Sequence, residues 1–209
     1  MKIKNPKIGE IVDKSILEIE NDEYNNCRFS SNIDKDINIR IKDTTFDSCI
    51  FNNIDFSNIE LDCVNLIDVV FENCDLSNKI FDEKLVTRVV FKNCKMIGTS
   101  FINGSLKDVQ FINSVLEFMN LSDARINNVL FDRCNLNEAS FIESDIKDIY
   151  FDECKLNRTE FISVNLKDVD LSSCDINGII FDMKSLNGIV VDRFQCDNIA
   201  TMFGVKIKE

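Results

Sequence analysis

The sequence predicts an all-β protein, a four-sided β-helix in which short strands wind around one axis. From Ile41 to Val191, every fifth residue is large and apolar, without a single interruption. Phenylalanine and cysteine recur every twenty residues on top of that series. Glycine and proline are scarce, at 6 and 1, so another residue type must make the turns. A chain of 209 residues fits one domain or one repeat array.

The five-residue period matches neither the 3.6-residue turn of a helix nor the alternation of a plain strand. It requires a short strand and a turn within every five residues. The residue two before each apolar centre is usually small, as at Cys74, Gly104 and Ala124, and both positions share the inward face. The residue two after each centre is then a corner. Asparagine, which tolerates the left-handed conformation of tight turns, recurs there: Asn53, Asn58, Asn73, Asn78, Asn93, Asn103, Asn113 and Asn128.

The twenty-residue period predicts four sides, because twenty residues are four pentapeptides. One phenylalanine column contains Phe51, Phe71, Phe91, Phe111, Phe131 and Phe151. The cysteine column contains Cys74, Cys94, Cys134, Cys154 and Cys174. Stacked at about 4.8 Å per coil, residues 41–191 make a column roughly 36 Å long.

These features resemble the pentapeptide-repeat family, whose loose consensus Ala-(Asp/Asn)-Leu-X-X is matched by Ala139-Ser140-Phe141 and Cys74-Asp75-Leu76. The resemblance implies a right-handed quadrilateral β-helix over residues 41–191. Residues 1–40 fall out of register and are expected to form an N-terminal cap, from Ile8 to Ile19, and an imperfect first coil.

Residues 192–209 are expected to form a C-terminal capping helix and a short strand. Asp192 and Gln195 have the spacing of a capping box. Cys196, Ile199, Ala200 and Phe203 follow helical spacing, Gly204 ends the helix, and residues 205–208 alternate like a strand.

Inside the array, Lys79, Lys84 and Lys184 occupy inward positions. An unpaired ammonium group cannot be buried there, so segment 79–88 is predicted to bulge outward without changing the count of five.

The order of helix, glycine and strand resembles the C-terminal module of the Qnr-like and mycobacterial quinolone-resistance branch. The resemblance implies a homodimer joined tail to tail through Phe194, Met202, Phe203, Val205 and Ile207. Capping alone would explain the same apolar residues. No insertion interrupts the array, which places the chain nearer the loop-less mycobacterial type.

Composition excludes several function classes. A net charge of −12 argues against direct nucleic-acid binding, and the absence of histidine removes the commonest general base and metal ligand. We therefore expect no enzyme activity, no catalytic residue, no metal and no cofactor. The sequence has no membrane-spanning run and no signal peptide, so a cytoplasmic location is expected. The cysteines are interpreted as small buried hydrophobic residues, except Cys63, which is expected to be exposed.

Negative charge is distributed unevenly. We call the side centred on Phe81, Phe101, Leu121, Phe141, Phe161 and Phe181 the acidic side. Its outward carboxylates are Glu60, Asp62, Asp82, Glu83, Asp123, Glu143, Glu160 and Asp182, whereas the next side balances acids and bases. The resemblance implies a DNA mimic that binds DNA gyrase through such a surface and modulates it, with an effect on quinolone sensitivity.

The alternative is an interaction scaffold for another protein partner. It would use an outward apolar file: Ile50, Val70, Val90, Leu130, Tyr150 and Val190.

Overall fold

The computed structural model describes residues 3–19, 23–30, 38–62 and 64–208, and it confirms the predicted right-handed, four-sided β-helix. The strands are β1 Val12–Lys14, β2 Glu23–Asn25, β3 Cys27–Ser30, β4 Ile39–Lys42, β5 Thr45–Asp47, β6 Ile50–Asn52, β7 Ile59–Asp62, β8 Asn65–Ile67, β9 Val70–Glu72, β10 Leu85–Thr87, β11 Val90–Lys92, β12 Ser105–Ile112, β13 Arg125–Asp132, β14 Asp145–Asp152, β15 Glu160–Phe161 and β16 Ile180–Phe181. A 3₁₀ helix spans Ile16–Glu18, and two α-helices span Met183–Leu186 (α1) and Gln195–Met202 (α2).

Strands in successive coils pair in parallel with the twenty-residue offset that the sequence predicts. Phe91 lies beside Phe71 on one edge and beside Phe111 on the other. The largest sheet follows two adjacent sides, which we call the Leu106 side and the Phe111 side after their central residues. Strands β12, β13 and β14 run through the corner between these two sides.

The core is built from stacked side chains of equivalent residues. In the Phe51–Phe151 column, neighbouring ring centroids are 4.8 to 5.3 Å apart and the rings are nearly parallel. Phe101 packs edge-on against Phe111 with a centroid distance of 6.4 Å. Each coil thus buries its large residues against the equivalent apolar residues above and below.

Corners adopt the left-handed conformation, as the asparagine pattern predicts. All eight corner asparagines named above except Asn58 have a positive φ. Aspartate, glutamate and arginine also occupy such corners, and so does Phe118, with φ 59° and an exposed ring.

The N-terminal residues close one end of the column and then cover part of its surface. Ile16 and Ile19 are buried, and β1 pairs with β3 in the first coil, where Tyr24, Cys27 and Phe29 lie in the core. Residues 3–9, which we call the strap, form no strand or helix and lie against the outside of the column.

Helix α2 closes the other end. Asp192 and Gln195 form the predicted reciprocal capping box, because the backbone N–H of each donates to the side chain of the other, at 2.9 and 2.8 Å. The side-chain amide of Gln195 also donates to the carbonyl oxygens of Leu171 and Cys174. These two acceptors of the last coil are therefore hydrogen-bonded. No helix in the described part of the chain is long and apolar enough to cross a membrane.

The strand predicted for residues 205–208 is absent. A strand needs a hydrogen-bonded neighbour, and the backbone N–H of Val205 is instead bonded to Ala200 O at the end of α2.

Candidate functional site

The acidic side begins with two carboxylates that share one arginine of the coil below. Arg40 lies 2.8 Å from Asp62 and 3.6 Å from Glu60. The guanidinium and at least one of these carboxylates are largely exposed, so the pairs contribute little stability. The single positive charge of Arg40 offsets one of these two negative charges on the surface that was predicted to bind a partner.

Two further carboxylates hold the backbone in place. Asp82 accepts a hydrogen bond from Ile102 N at 2.8 Å and another from the Ser100 hydroxyl. Asp182 caps helix α1 by accepting from Ser185 N, and it also accepts from Ser163 N, each at 2.8 Å. These backbone donors lower the pKa of Asp182 to about 2. Both carboxylates therefore have structural partners.

The remaining four, Glu83, Asp123, Glu143 and Glu160, have no side-chain hydrogen bond or ion pair to any described residue. Glu83, Asp123 and Glu143 occupy one corner column, with φ between 56° and 60°. Asn103 takes the same place in the coil between Glu83 and Asp123. Asparagine suits this conformation better than glutamate. Asp123 and Glu143 lie in neighbouring coils, about 4.8 Å apart, so their like charges repel one another. Local stability does not explain these carboxylates.

Two lysines open a cleft within the acidic side. Lys79 and Lys84 are half-buried and line a cavity of about 350 Å³ together with Leu61 and Ile80. The prediction that segment 79–88 bulges outward is wrong in part, because Phe81 and Val86 keep their core positions. Burial lowers the pKa of Lys79. The lysines are accommodated by separation of adjacent coils: no described backbone hydrogen bond joins Ile80 to β7.

Lys184, the third inward lysine, lies in α1 with its amine donating to Ser163 O.

The corner between the Leu106 side and the Phe111 side contains two carboxylates whose structural role could not be predicted from the sequence. Asp68 and Asp108, which were predicted to be outward charges, are each only 4% exposed. The strap lies over both, Arg88 also donates two hydrogen bonds to Asp68 at 2.6 Å, and Asn128 donates one to Asp108. Lys7 N donates to Asp68 at 2.9 Å, and Lys4 N donates to Asp108 at 3.3 Å. These contacts join residues 61 and 104 positions apart, and no periodic signal marks them.

The repeat is also recognised by comparison with known families. The family described as "Pentapeptide repeat region" matches residues 84–161 and 129–199, and the family described as "Pentapeptide repeats (8 copies)" matches residues 40–78. The chain belongs to the pentapeptide-repeat family. No curated protein matches the sequence of this pentapeptide-repeat protein.

Solved structures with similar folds include three pentapeptide-repeat proteins. Full-length QnrB1, a plasmid-mediated fluoroquinolone resistance protein, is 19% identical with a TM-score of 0.41, and the match covers 95% of this chain and 96% of that one. Rfr23 from the cyanobacterium Cyanothece 51142 is 18% identical with a TM-score of 0.28, covering 52% and 64%. HetL from Nostoc sp. strain PCC 7120 is 12% identical with a TM-score of 0.28, covering 73% and 89%.

The five residues predicted to form a dimer contact all lie exposed at the C-terminal end of this pentapeptide-repeat protein. Phe194 is 85% exposed, and Met202, Phe203, Val205 and Ile207 are 37 to 53% exposed. Of the residues with helical spacing, Ile199 packs against the core and Cys196 is exposed. The cap therefore depends on Gln195 and Ile199 and leaves an apolar surface uncovered.

The cysteine column lies inside the core. In each of Cys74, Cys94, Cys134 and Cys154, the thiol is close to a carbonyl oxygen of the preceding coil, at 3.3 to 3.5 Å. Cys49 lies outside this column, and burial raises the pKa of its thiol to about 12. Cys63, which was predicted to be exposed, lies outside the described residues. Within the described ranges, no group of three or more acidic, cysteine or histidine side chains is arranged to hold a metal ion.

Proposed function

We propose that this pentapeptide-repeat protein acts without catalysis in the cytoplasm by binding DNA gyrase as a mimic of DNA and modulating its activity. The observation that supports the proposal is the corner column of Glu83, Asp123 and Glu143, whose carboxylates have no stabilising partner among the described residues. Residues that work against local stability are expected at functional positions. Together with Glu160, they give one side of the rod a negative field.

The size of that field fits a partial mimic. B-DNA carries one charge per about 1.7 Å, or roughly 21 charges over 36 Å. This chain has a net charge of −12. A basic surface that binds a DNA duplex would thus meet a weaker but similarly extended set of charges.

A tail-to-tail homodimer would double the length of the rod. The exposed apolar surface of Phe194, Met202, Phe203, Val205 and Ile207 supports this part of the proposal, because an apolar patch at one end of a soluble rod is suited to a twofold contact. Sedimentation equilibrium should give a dimer for the wild type and a monomer for Val205→Asp/Ile207→Asp. A monomeric wild type would contradict the dimer.

A DNA supercoiling assay with purified gyrase, with and without a quinolone, tests the main proposal. The wild type should change gyrase activity at micromolar concentration, and Asp123→Lys/Glu143→Lys should abolish the effect. The matched control is Asp145→Lys/Glu153→Lys, which changes the net charge equally at exposed residues that do not belong to the acidic side. Equal loss in both variants would indicate a general charge effect, and no effect of the wild type would refute gyrase binding.

The second candidate function is a scaffold for a different protein. Along the outward apolar file, Val70, Val90, Leu130 and Tyr150 are half-buried and Val190 is exposed, so the file offers apolar contact area. Val90→Asp/Tyr150→Asp should then abolish capture of the partner, whereas charge reversal at Asp82 and Glu83 should leave it intact.

A further inference from the structure

The strap shows how one corner of the column binds an extended segment. Gly9 N donates to Asn26, Lys7 N to Asp68, and Lys4 N to Asp108, at 3.1, 2.9 and 3.3 Å. Beside this line, Gln110 donates to the Asn5 side chain at 2.9 Å. The corner therefore supplies carboxylates and amides to the backbone and polar side chains of the strap.

The spacing of these contacts matches an extended chain that runs along the axis. Asp68 and Asp108 are two coils apart, which is about 9.6 Å. Lys7 and Lys4 are three residues apart, which is about 10 Å in an extended chain. Ile3, Pro6 and Ile8 are half-buried against the column. The strap is thus an extended, lysine-bearing and partly aliphatic ligand in cis.

Two carboxylates also lie on this corner above the strap, although Asp148 lacks the positive φ of Asp108. Asp148 and Tyr150 lie forty residues after Asp108 and Gln110 and hence two coils higher, and Asp168 follows in the next coil. A β-bulge between β13 and β14 sets Asp148 opposite Asn127. The carboxylates of Asp148 and Asp168 are exposed and have no hydrogen bond or ion pair to the described residues.

The backbone at this upper position is also open. In lower coils, Gln110 N donates to Val89 O, but no described backbone hydrogen bond joins β14 to residues 165–172. In that upper segment, Lys167 N and Ser172 N are bonded to side chains of their own coil instead. The edge of β14 therefore keeps hydrogen-bonding groups that a ligand could use.

Cavities lie on both flanks of Tyr150. One, of about 280 Å³, is lined by Asp148, Tyr150 and Asp168 together with Lys147 and Lys167. The other contains Asp132, Asp152 and Asp170 and no basic residue. Asp132 is paired with Arg133 at 2.8 Å, which leaves four carboxylates against two lysines, and this excess favours a basic ligand.

We propose that the corner around Asp148, Tyr150 and Asp168 is a docking site for an extended, lysine-bearing segment of a partner protein, which lies along the column as the strap does lower down. The carboxylates accept from the backbone N–H groups and lysines of the segment, and Tyr150 takes the place that Gln110 has beside the strap. The site is separate from the acidic side and does not depend on gyrase binding.

The test uses the full chain labelled with 3-fluorotyrosine, which gives two ¹⁹F signals because the protein has 2 tyrosines. Tyr24, in the core of the first coil, is the internal reference. The probe is the acetylated and amidated peptide of residues 3–9, which contains no aromatic residue. The Tyr150 signal should shift and saturate with a Kd below about 1 mM. A peptide in which both lysines are replaced by glutamate should cause no saturable shift.

Charge variants separate specific docking from bulk attraction. Asp148→Asn/Asp168→Asn should weaken peptide binding about tenfold, as expected for the loss of charged hydrogen-bond acceptors. The control Asp123→Asn/Glu143→Gln removes the same charge from the acidic side and should change Kd less than about twofold. An unmoved Tyr150 signal at 1 mM peptide, or equal weakening by both pairs, would overturn the proposal.

Discussion

Replacing one ring of the phenylalanine column tests whether stacked coils hold the solenoid together. Phe111 is fully buried, stacks on Phe91 and Phe131 at 5.0 and 4.9 Å, and meets Phe101 edge-on. Phe111→Ala leaves a cavity between two coils that cannot collapse without breaking their strand pairing. A buried Phe→Ala change costs about 3–5 kcal/mol. Because three aromatic partners are lost, we expect the upper part of that range.

Urea denaturation followed by far-UV circular dichroism measures the effect. A mid-column lesion in a repeat protein weakens coupling between the two halves, so the transition should also broaden. Phe118→Ala is the matched control, since that ring is 52% exposed, and it should change stability by less than about 0.5 kcal/mol. If Phe111→Ala costs no more than Phe118→Ala, stacking is not what stabilises the column.

Three further predictions follow from single residues. Phe118→Asn should stabilise the protein by about 0.5–1 kcal/mol in the same denaturation assay, because asparagine tolerates the left-handed corner that Phe118 occupies at φ 59°. In the native protein, the exposed Cys196 should react quickly with a thiol reagent and the buried Cys154 should not. Cys196→Ser should therefore lower the number of rapidly reacting thiols by one per chain. Burial acts to raise the pKa of Asp68, but hydrogen bonds from Arg88 and Lys7 N outweigh it and hold that pKa below its usual value. Asp68 therefore stabilises the fold above about pH 4. The protection of the Lys7 N–H against hydrogen exchange, taken relative to the intrinsic rate at each pH, should fall as pH falls through the lowered pKa, unlike in Asp68→Asn.

The repeated part of the fold could be predicted because each coil has apolar residues at the same positions. The inward series from Ile41 to Val191 determines which face is buried, and the twenty-residue lattice determines which residues stack. The Asp192–Gln195 capping box could be read in the same way, because it depends only on local spacing.

Features that depend on contacts between distant residues could not be predicted. The strap is out of register with the repeat, and its partners Asp68 and Asp108 look like ordinary surface acids in the sequence. Lys79 shows a second limit: an inward lysine indicates a conflict with the core, but it does not say whether the segment bulges or the coils separate. Here the coils separate and the centres stay buried.

The sequence also could not show which carboxylates of the acidic side interact with other residues of the protein. The sequence spacing does not distinguish the eight outward carboxylates from one another. In the structure, four of them interact with Arg40 or with backbone N–H groups. Asp82 and Asp182 stabilise the backbone, and Glu60 and Asp62 are partly offset by Arg40, whatever the protein binds. Glu83, Asp123, Glu143 and Glu160 have no such role among the described residues, and Glu83 and Glu143 occupy corners where asparagine would cost less. Replacing these four residues should therefore weaken the binding of a partner that recognises negative charge.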